Sequence, residues 1–94
     1  MIVKEITIQV PEIFSVEEAG HFREHVRAHI NSGTIHFLLD FSNCQFIDST
    51  GLGVIVSSHK KCMESGGGMK LKSLNRNVFK VFELTRLTNV FEIL

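Results

Sequence analysis

Residues 44–56, Cys-Gln-Phe-Ile-Asp-Ser-Thr-Gly-Leu-Gly-Val-Ile-Val, lead from an apolar segment through a polar corner into a helix. The corner is Asp48-Ser49-Thr50. We predict Ser49 as the helix N-cap, because its hydroxyl can accept a hydrogen bond from the free N–H groups of the first turn. A phosphate would also fit there, since a helix N-terminus presents unpaired donors and a positive dipole end. The stretch therefore leaves three roles open for Ser49: a cap, a nucleophile or a phosphoacceptor.

Upstream of the corner, the sequence predicts two strands with a helix between them. Residues 2–10 alternate as a strand with one buried face. Ser15 and Glu18 form a capping-box pattern at the start of a helix that ends at Gly33. The run 35–41 is almost continuously apolar, which is typical of a central strand covered on both faces.

Downstream of the corner, the same alternation continues to the end of the chain. We expect a helix over about residues 50–64, a strand over 69–74, a short helix capped by Asn75, and a last strand over 90–93. Strands that alternate with helices predict an α/β fold, here a small mixed and largely parallel sheet with helices. Reactive groups of such folds gather beyond the carboxyl ends of strands, and Ser49 lies in that region.

Length and composition indicate one small domain that spans residues 1–94. The chain is 44% hydrophobic and has no net charge, so it lacks a strong field for direct binding to nucleic acid or to an anionic membrane. Cys44 and Cys62 form no C-x-x-C pair, which favours a reducing compartment. The sequence contains no apolar run long enough to span a bilayer and no signal-peptide pattern. We therefore expect a cytoplasmic protein.

Enzymatic use of Ser49 is disfavoured by its surroundings in the sequence. The nucleophile elbow reads G-x-S-x-G, but here Ile47 stands in place of the first glycine. None of the five histidines is tied to Ser49 by a known spacing. An Asp-Thr-Gly loop of the aspartic-protease kind would need glycine two places after the aspartate, whereas Gly51 is three places after Asp48. We expect no catalytic residue.

Two further patterns are explained without a bound group. His21, His25 and His29 recur at the four-residue spacing of helical metal ligands, but no carboxylate cluster accompanies them, which favours a polar helix face. The run 66–68 is Gly-Gly-Gly without the Lys-Ser or Lys-Thr of a phosphate loop. We therefore expect neither a metal nor a cofactor.

Two glycines in the first turn of the second helix need a reason, because glycine weakens helices. Gly51 and Gly53 would allow the backbone of a partner to approach closely, or they would allow this turn to pack against a neighbouring strand. The sequence leaves both explanations open.

Residues 38–53, from Leu38 to Gly53, resemble the signature of the STAS domain, and more narrowly that of bacterial anti-sigma-factor antagonists. The similarity extends over about residues 30–93, and Asp-Ser-Thr-Gly-Leu-Gly is its specific element. The resemblance implies a non-enzymatic switch in transcription regulation, in which an anti-sigma factor that is also a serine kinase phosphorylates Ser49 and a phosphatase resets it. Asp48, Thr50, Gly51 and Gly53 would form the surrounding partner-binding surface. The alternative is a STAS scaffold or sensor module of a larger signalling or transport assembly, without obligatory phosphorylation.

Both ends of the chain depart from the pattern of the family. Residues 11–15, Pro-Glu-Ile-Phe-Ser, stand where the family has a different segment, and one N-terminal strand is missing. Arg86 occupies a position where the family often has glycine. The chain ends at Leu94, before the usual C-terminal helix. The fold is therefore expected to be truncated at both ends, and a sheet edge or an apolar face left open by the truncation leaves a homodimer as an option.

Overall fold

A computed structural model of the chain describes residues 4–94. The described residues form six strands, three helices and one 3-10 turn. In chain order, these are β1 (Glu5–Gln9), β2 (Ile13–Phe14), α1 (Val16–Asn31), β3 (His36–Asp40), β4 (Phe46–Ile47), α2 (Ser49–Glu64), β5 (Gly68–Lys72), α3 (Arg76–Leu84), the 3-10 turn (Leu87–Asn89) and β6 (Glu92–Ile93). Residues 2 and 3 of the expected first strand lie outside the described residues.

Four strands form one parallel sheet in the order β1-β3-β5-β6. Neighbouring parallel strands need a crossover connection. The helix α1 supplies it between β1 and β3, and α2 supplies it between β3 and β5. The expected α/β fold with a largely parallel sheet is therefore confirmed. The β2 and β4 strands, which the sequence reading missed, pair in parallel as a separate two-stranded sheet.

Helices cover the main sheet on one face, so the expectation that residues 35–41 are covered on both faces was wrong. Phe37 and Leu39 are buried, whereas Leu38 between them is only half-buried. On the open face, the Lys72 ammonium lies 4.0 Å from the Asp40 carboxylate. The side chains of a strand point to alternating faces of the sheet. An apolar residue such as Leu38 can therefore lie on a face that no helix covers, so the apolar run alone does not show that both faces are covered.

Aromatic rings join the helices to the covered face. The Phe82 ring of α3 meets Phe41 at 5.8 Å and Phe91 at 6.0 Å between centroids, both edge to face. The Phe14 ring meets Phe22 of α1 at 5.3 Å. Such pairs add specific geometry to the burial of apolar area. They join α3 to the ends of β3 and β6, and they join α1 to β2, which carries part of the polar corner.

The helix ends agree with the sequence in part. Gly33 ends α1 with a φ of 93°, as expected for a left-handed stop. The Asn75 side chain caps α3 by accepting a hydrogen bond from the Val78 N–H at 2.8 Å. The last strand is shorter than expected, because the N–H groups of Val90 and Phe91 donate back to the Leu87 carbonyl of the 3-10 turn and β6 begins only at Glu92.

Candidate functional site

The polar corner is built from two matching strand-to-helix connections that lie side by side. The β2 strand leads through Ser15 into α1, and β4 leads through Asp48 into α2. The strands pair Phe14 with Ile47, and the Asp48 N–H donates to the Phe14 carbonyl at 3.3 Å. Two helix N-termini are therefore anchored next to each other by backbone hydrogen bonds.

Asp48 is the N-cap of α2, so the prediction that Ser49 is the cap was wrong. The Asp48 carboxylate accepts a hydrogen bond from the Gly51 N–H at 2.9 Å, and its carbonyl accepts from the Leu52 N–H at 3.0 Å. Asp48 has the extended backbone of a cap, whereas Ser49 is the first helical residue. Aspartate and serine are both good N-cap residues. Asp48 is the cap because β4 ends at Ile47, which makes Asp48 the last residue before the helix.

The capping box expected at the first helix is not formed. Ser15 does occupy the N-cap position of α1, but its side chain makes no capping hydrogen bond. Its backbone carbonyl accepts from the Ala19 N–H at 2.8 Å, which closes the first turn of the helix. The prediction that Ser15 begins the helix was thus confirmed, whereas the predicted hydrogen bond from its side chain was wrong.

Ser49 is free for contact with another molecule. Ser49 and Thr50 are exposed, and Asp48 is half-buried. Within residues 4–94, neither the Ser49 hydroxyl nor the backbone N–H of Ser49 or Thr50 forms a hydrogen bond. An acceptor or an anion placed beside Ser49 would therefore meet two unpaired donors at the positive end of the helix dipole.

The histidines that the structure describes are engaged away from Ser49. His59 lies more than two turns further along α2, where its Nδ1 accepts the Met69 N–H at 3.0 Å. His25 and His29 lie on α1, with their ring centroids 4.9 Å apart and the rings tilted by 39°. In the described part of the chain, no imidazole is hydrogen-bonded to the Ser49 hydroxyl, so no histidine activates it in this arrangement.

The two glycines of the corner have different surroundings. Gly51 is buried, and a Cβ at this position would overlap the Phe14 carbonyl oxygen and lie 3.2 Å from the Phe14 Cγ. Gly53 is exposed, and a Cβ there would meet nothing within 4 Å. Internal packing therefore accounts for Gly51. At Gly53 the surface remains open to a partner.

Three exposed apolar side chains around the corner escaped the sequence reading. Ile13, Val16 and Phe46 are 56%, 68% and 52% exposed. Ile13 and Phe46 are paired across β2 and β4, and Val16 begins α1 as Ser49 begins α2. We call these three residues together with Ser49 the corner patch. Recognition of the two short strands would have revealed it, because Ile13 and Phe46 alternate with the buried Phe14 and Ile47.

The remaining candidate groups are not joined into a site. Among residues 4–94, no three histidine, cysteine, aspartate or glutamate side chains lie close enough to hold a metal ion. Cys44 and Cys62 are buried free thiols, and burial raises the pKa of both. No helix within the described range is long and apolar enough to cross a membrane.

Residues 4–94 match the family model of the STAS domain. The chain is 35% identical to a Thermotoga maritima protein described as an anti-sigma factor antagonist, over 98% of this chain and 83% of that protein. It is 38% identical over 48 residues to the anti-sigma-B factor antagonist of Bacillus subtilis. That alignment covers 51% of this chain and 44% of the relative, which is less than half of the relative's length.

A solved structure has the same fold. The anti-sigma factor antagonist SpoIIAA in its unphosphorylated form superposes with a TM-score of 0.84 at 19% identity, over 100% of this chain and 84% of SpoIIAA. Its phosphorylated form superposes with a TM-score of 0.77. At this identity the likeness concerns the fold alone.

Proposed function

We propose that this chain, which belongs to the STAS domain family, is an anti-sigma factor antagonist switched by phosphorylation of Ser49. The observation that carries the proposal is the free Ser49 hydroxyl, exposed at the first residue of α2 and beside a separate cap. The unphosphorylated form would sequester an anti-sigma factor that is also a serine kinase, and so release the sigma factor. A phosphatase would restore the binding form.

The unphosphorylated corner patch suits burial against a protein. Ile13, Val16 and Phe46 are exposed apolar side chains on the same two strand-to-helix connections as the small neutral hydroxyl of Ser49, and exposed apolar area is the usual centre of a binding surface. The open surface at Gly53 would let the backbone of the partner approach the first turn of α2. Asp48 contributes by holding the turn through its hydrogen bond to Gly51.

Phosphorylation would reverse this match without unfolding the corner. A phosphate adds about −1.5 to −2 charges at pH 7. The positive end of the α2 dipole and the unpaired N–H groups of Ser49 and Thr50 reduce the cost to the protein itself. A partner that buries a neutral hydroxyl would instead face a doubly charged group next to the Asp48 carboxylate, with repulsion and lost solvation.

The test uses the purified anti-sigma factors of the source organism with ATP. We expect one of them to phosphorylate the chain on Ser49, as located by peptide mass spectrometry. Ser49→Ala should remain unmodified, whereas Thr50→Ala should still be modified on Ser49. Both hydroxyls are exposed, so the comparison depends on position rather than on access.

Binding of the same anti-sigma factor, measured by calorimetry, separates the switch from a permanent scaffold. Ser49→Ala should bind like the unphosphorylated wild type, and Ser49→Asp should bind at least about tenfold more weakly, a difference of about 1.4 kcal/mol. Equal affinities of the two variants would contradict the switch. A phosphate found only on another residue would contradict the assignment of Ser49. Binding without any phosphorylation would favour the scaffold or sensor module.

A further inference from the structure

The strand β1 forms one edge of the main sheet, with β3 on its inner side and no described strand on its outer side. Directly after β1, the Val10 N–H donates to the Asp40 carbonyl at the end of β3 at 2.9 Å. The backbone groups of successive strand residues point to opposite edges, so the N–H and carbonyl groups of Ile6 and Ile8 also point towards β3. The residues whose backbone groups point outwards are Glu5, Thr7 and Gln9.

This outer edge is open in the described part of the chain. Within residues 4–94, β1 pairs only with β3, and no other backbone hydrogen bond involves the outward groups. All three outward residues are exposed. Edge strands are often protected by lysine, by proline or by being short, but β1 has five residues and contains neither lysine nor proline. The opposite edge differs, because β6 has only two residues.

The hydrogen-bonding groups of this edge are complementary to a second copy of the same edge. In an antiparallel pair, two facing residues exchange both of their hydrogen bonds only where both point their backbone groups into the gap. A two-fold axis at Thr7, perpendicular to the sheet, meets this condition along the whole strand. Thr7 then faces Thr7 of the second copy, and Glu5 faces Gln9 of the second copy. Every outward N–H and carbonyl of β1 gains a partner.

The side chains favour the same register. An axis at Glu5 would set two carboxylates directly opposite one another, which is destabilising. With the axis at Thr7, each carboxylate faces a neutral glutamine amide, which can donate a hydrogen bond to it. On the face that the helices cover, Ile6 is only half-buried although it packs against the core. It would face Ile8 of the second copy, and its remaining exposed area would be covered.

We propose that a second copy of this chain docks on the β1 edge, in antiparallel pairing about Thr7. The two four-stranded sheets then continue into one sheet, and the helices of both copies cover the same face of it. A contact made by one five-residue strand from each copy is small, and small interfaces lie at the weak end of specific association. We therefore expect a dimer whose population rises with concentration. The proposal does not depend on phosphorylation of Ser49.

Sedimentation equilibrium of the whole chain over a range of concentrations measures the association, and amide exchange followed by NMR locates it. The Thr7 and Gln9 amides should exchange more slowly as the concentration rises. The Ile6 and Ile8 amides, which point towards β3 within each copy, should stay protected throughout. A chain that remains monomeric at its highest soluble concentration would overturn the proposal. Slow exchange of Thr7 at every concentration would also overturn it, because another part of the chain would then occupy the edge.

Charge reversal at Thr7 tests the register, because this residue faces its own copy across the axis. Thr7→Lys and Thr7→Glu each set two like charges opposite one another, so either variant alone should associate about fivefold more weakly or worse. An equimolar mixture sets a lysine opposite a glutamate and should associate at least as well as the wild type. Undiminished association of the single variants would overturn the proposal, as would a mixture that does not recover.

The matched control is Asn89→Lys, which adds the same charge at an exposed residue shortly before β6, at the other edge of the sheet. This variant should associate like the wild type, and a loss equal to that of Thr7→Lys would mean general repulsion and would overturn the site. Thr7 is exposed, so its variants should keep the urea midpoint of the wild type. Ser49→Ala should also associate like the wild type, so failure of the switch and failure of the edge are distinguishable.

Discussion

Replacement of Gly51 by alanine tests how tightly the corner is packed. A Cβ at Gly51 would overlap the carbonyl oxygen of Phe14, whose side chain is fully buried. That oxygen also accepts the hydrogen bond from the Asp48 N–H at 3.3 Å. The added methyl group therefore meets backbone that is held by the β2–β4 pairing and cannot move aside as a flexible side chain would.

The size of the effect follows from opposing contributions. Alanine in place of a helical glycine gains about 1 kcal/mol from helix propensity. Overpacking costs about 1–3 kcal/mol, and loss of the hydrogen bond between Asp48 and Phe14 costs about 1 kcal/mol more. We therefore expect Gly51→Ala to lower the free energy of unfolding by about 1–3 kcal/mol. For a domain of this size, each kcal/mol corresponds to about 4–8 °C in the thermal midpoint.

Gly53→Ala is the matched control, because it makes the same change two residues further along the same helix. No atom lies within 4 Å of the added methyl group, so only the gain in helix propensity remains. Its unfolding free energy should rise by up to about 1 kcal/mol. Urea unfolding followed by circular dichroism measures both variants. Amide exchange at Asp48 should become faster in Gly51→Ala alone.

The comparison also separates stability from binding. Under the proposed function, Gly53→Ala should weaken binding to the anti-sigma factor although the domain itself is more stable. If Gly51→Ala were as stable as Gly53→Ala, the Phe14 backbone would have moved aside for the methyl group at little cost. The explanation of Gly51 by internal packing would then be refuted.

Two further predictions concern buried polar contacts away from the corner. Burial lowers the pKa of His59 below 6.5, and its Nδ1 accepts the Met69 N–H at 3.0 Å, so the neutral ring is the form that fits the fold. Its stabilising contribution is complete above the unfolded pKa of 6.5 and is lost as the pH falls from there through the lower pKa of the folded state. Urea midpoints should therefore drop as the pH falls below 6.5, and should drop less in His59→Asn. Asn75→Ala should cost about 1–3 kcal/mol in urea unfolding, because it removes both the cap and the bond from Nδ2 to the Cys44 carbonyl. Asn75→Asp keeps the capping oxygen and loses only the bond to Cys44, so it should lose only part of this. Equal losses in the two variants would contradict a stabilising role for the cap, and no loss in Asn75→Asp would contradict one for the bond to Cys44.

The order of elements was predictable because its signals are strong and local. Alternation marked β1 and β5, and Gly33 and Asn75 marked helix ends through backbone and capping chemistry that involves few neighbours. The β2 and β4 strands escaped because two residues carry no measurable periodicity. Their pairing is decided by contacts between segments more than thirty residues apart, such as Ile13 with Phe46.

The polar corner was predictable in position and only partly in detail. Asp-Ser-Thr-Gly marked the corner, but which of two good capping residues acts as the cap depends on where β4 ends. The corner patch depends on a pairing between distant segments. Arg86 has a left-handed φ of 62°, which costs an arginine about 1–2 kcal/mol and would suit the glycine that the resemblance implies at this position.

The separation of cap and phosphoacceptor has a consequence for the proposed switch. If Ser49 were the cap, its hydroxyl oxygen would be committed to an N–H of the first turn, and modification would disturb the helix that presents it. Because Asp48 caps α2 through Gly51, the first turn keeps its hydrogen bond whether or not Ser49 is modified. The Ser49 position can then change charge on a fixed frame. The same Asp48 carboxylate adds its negative charge to that of a phosphate, so the residue that preserves the fold also strengthens the repulsion of a partner.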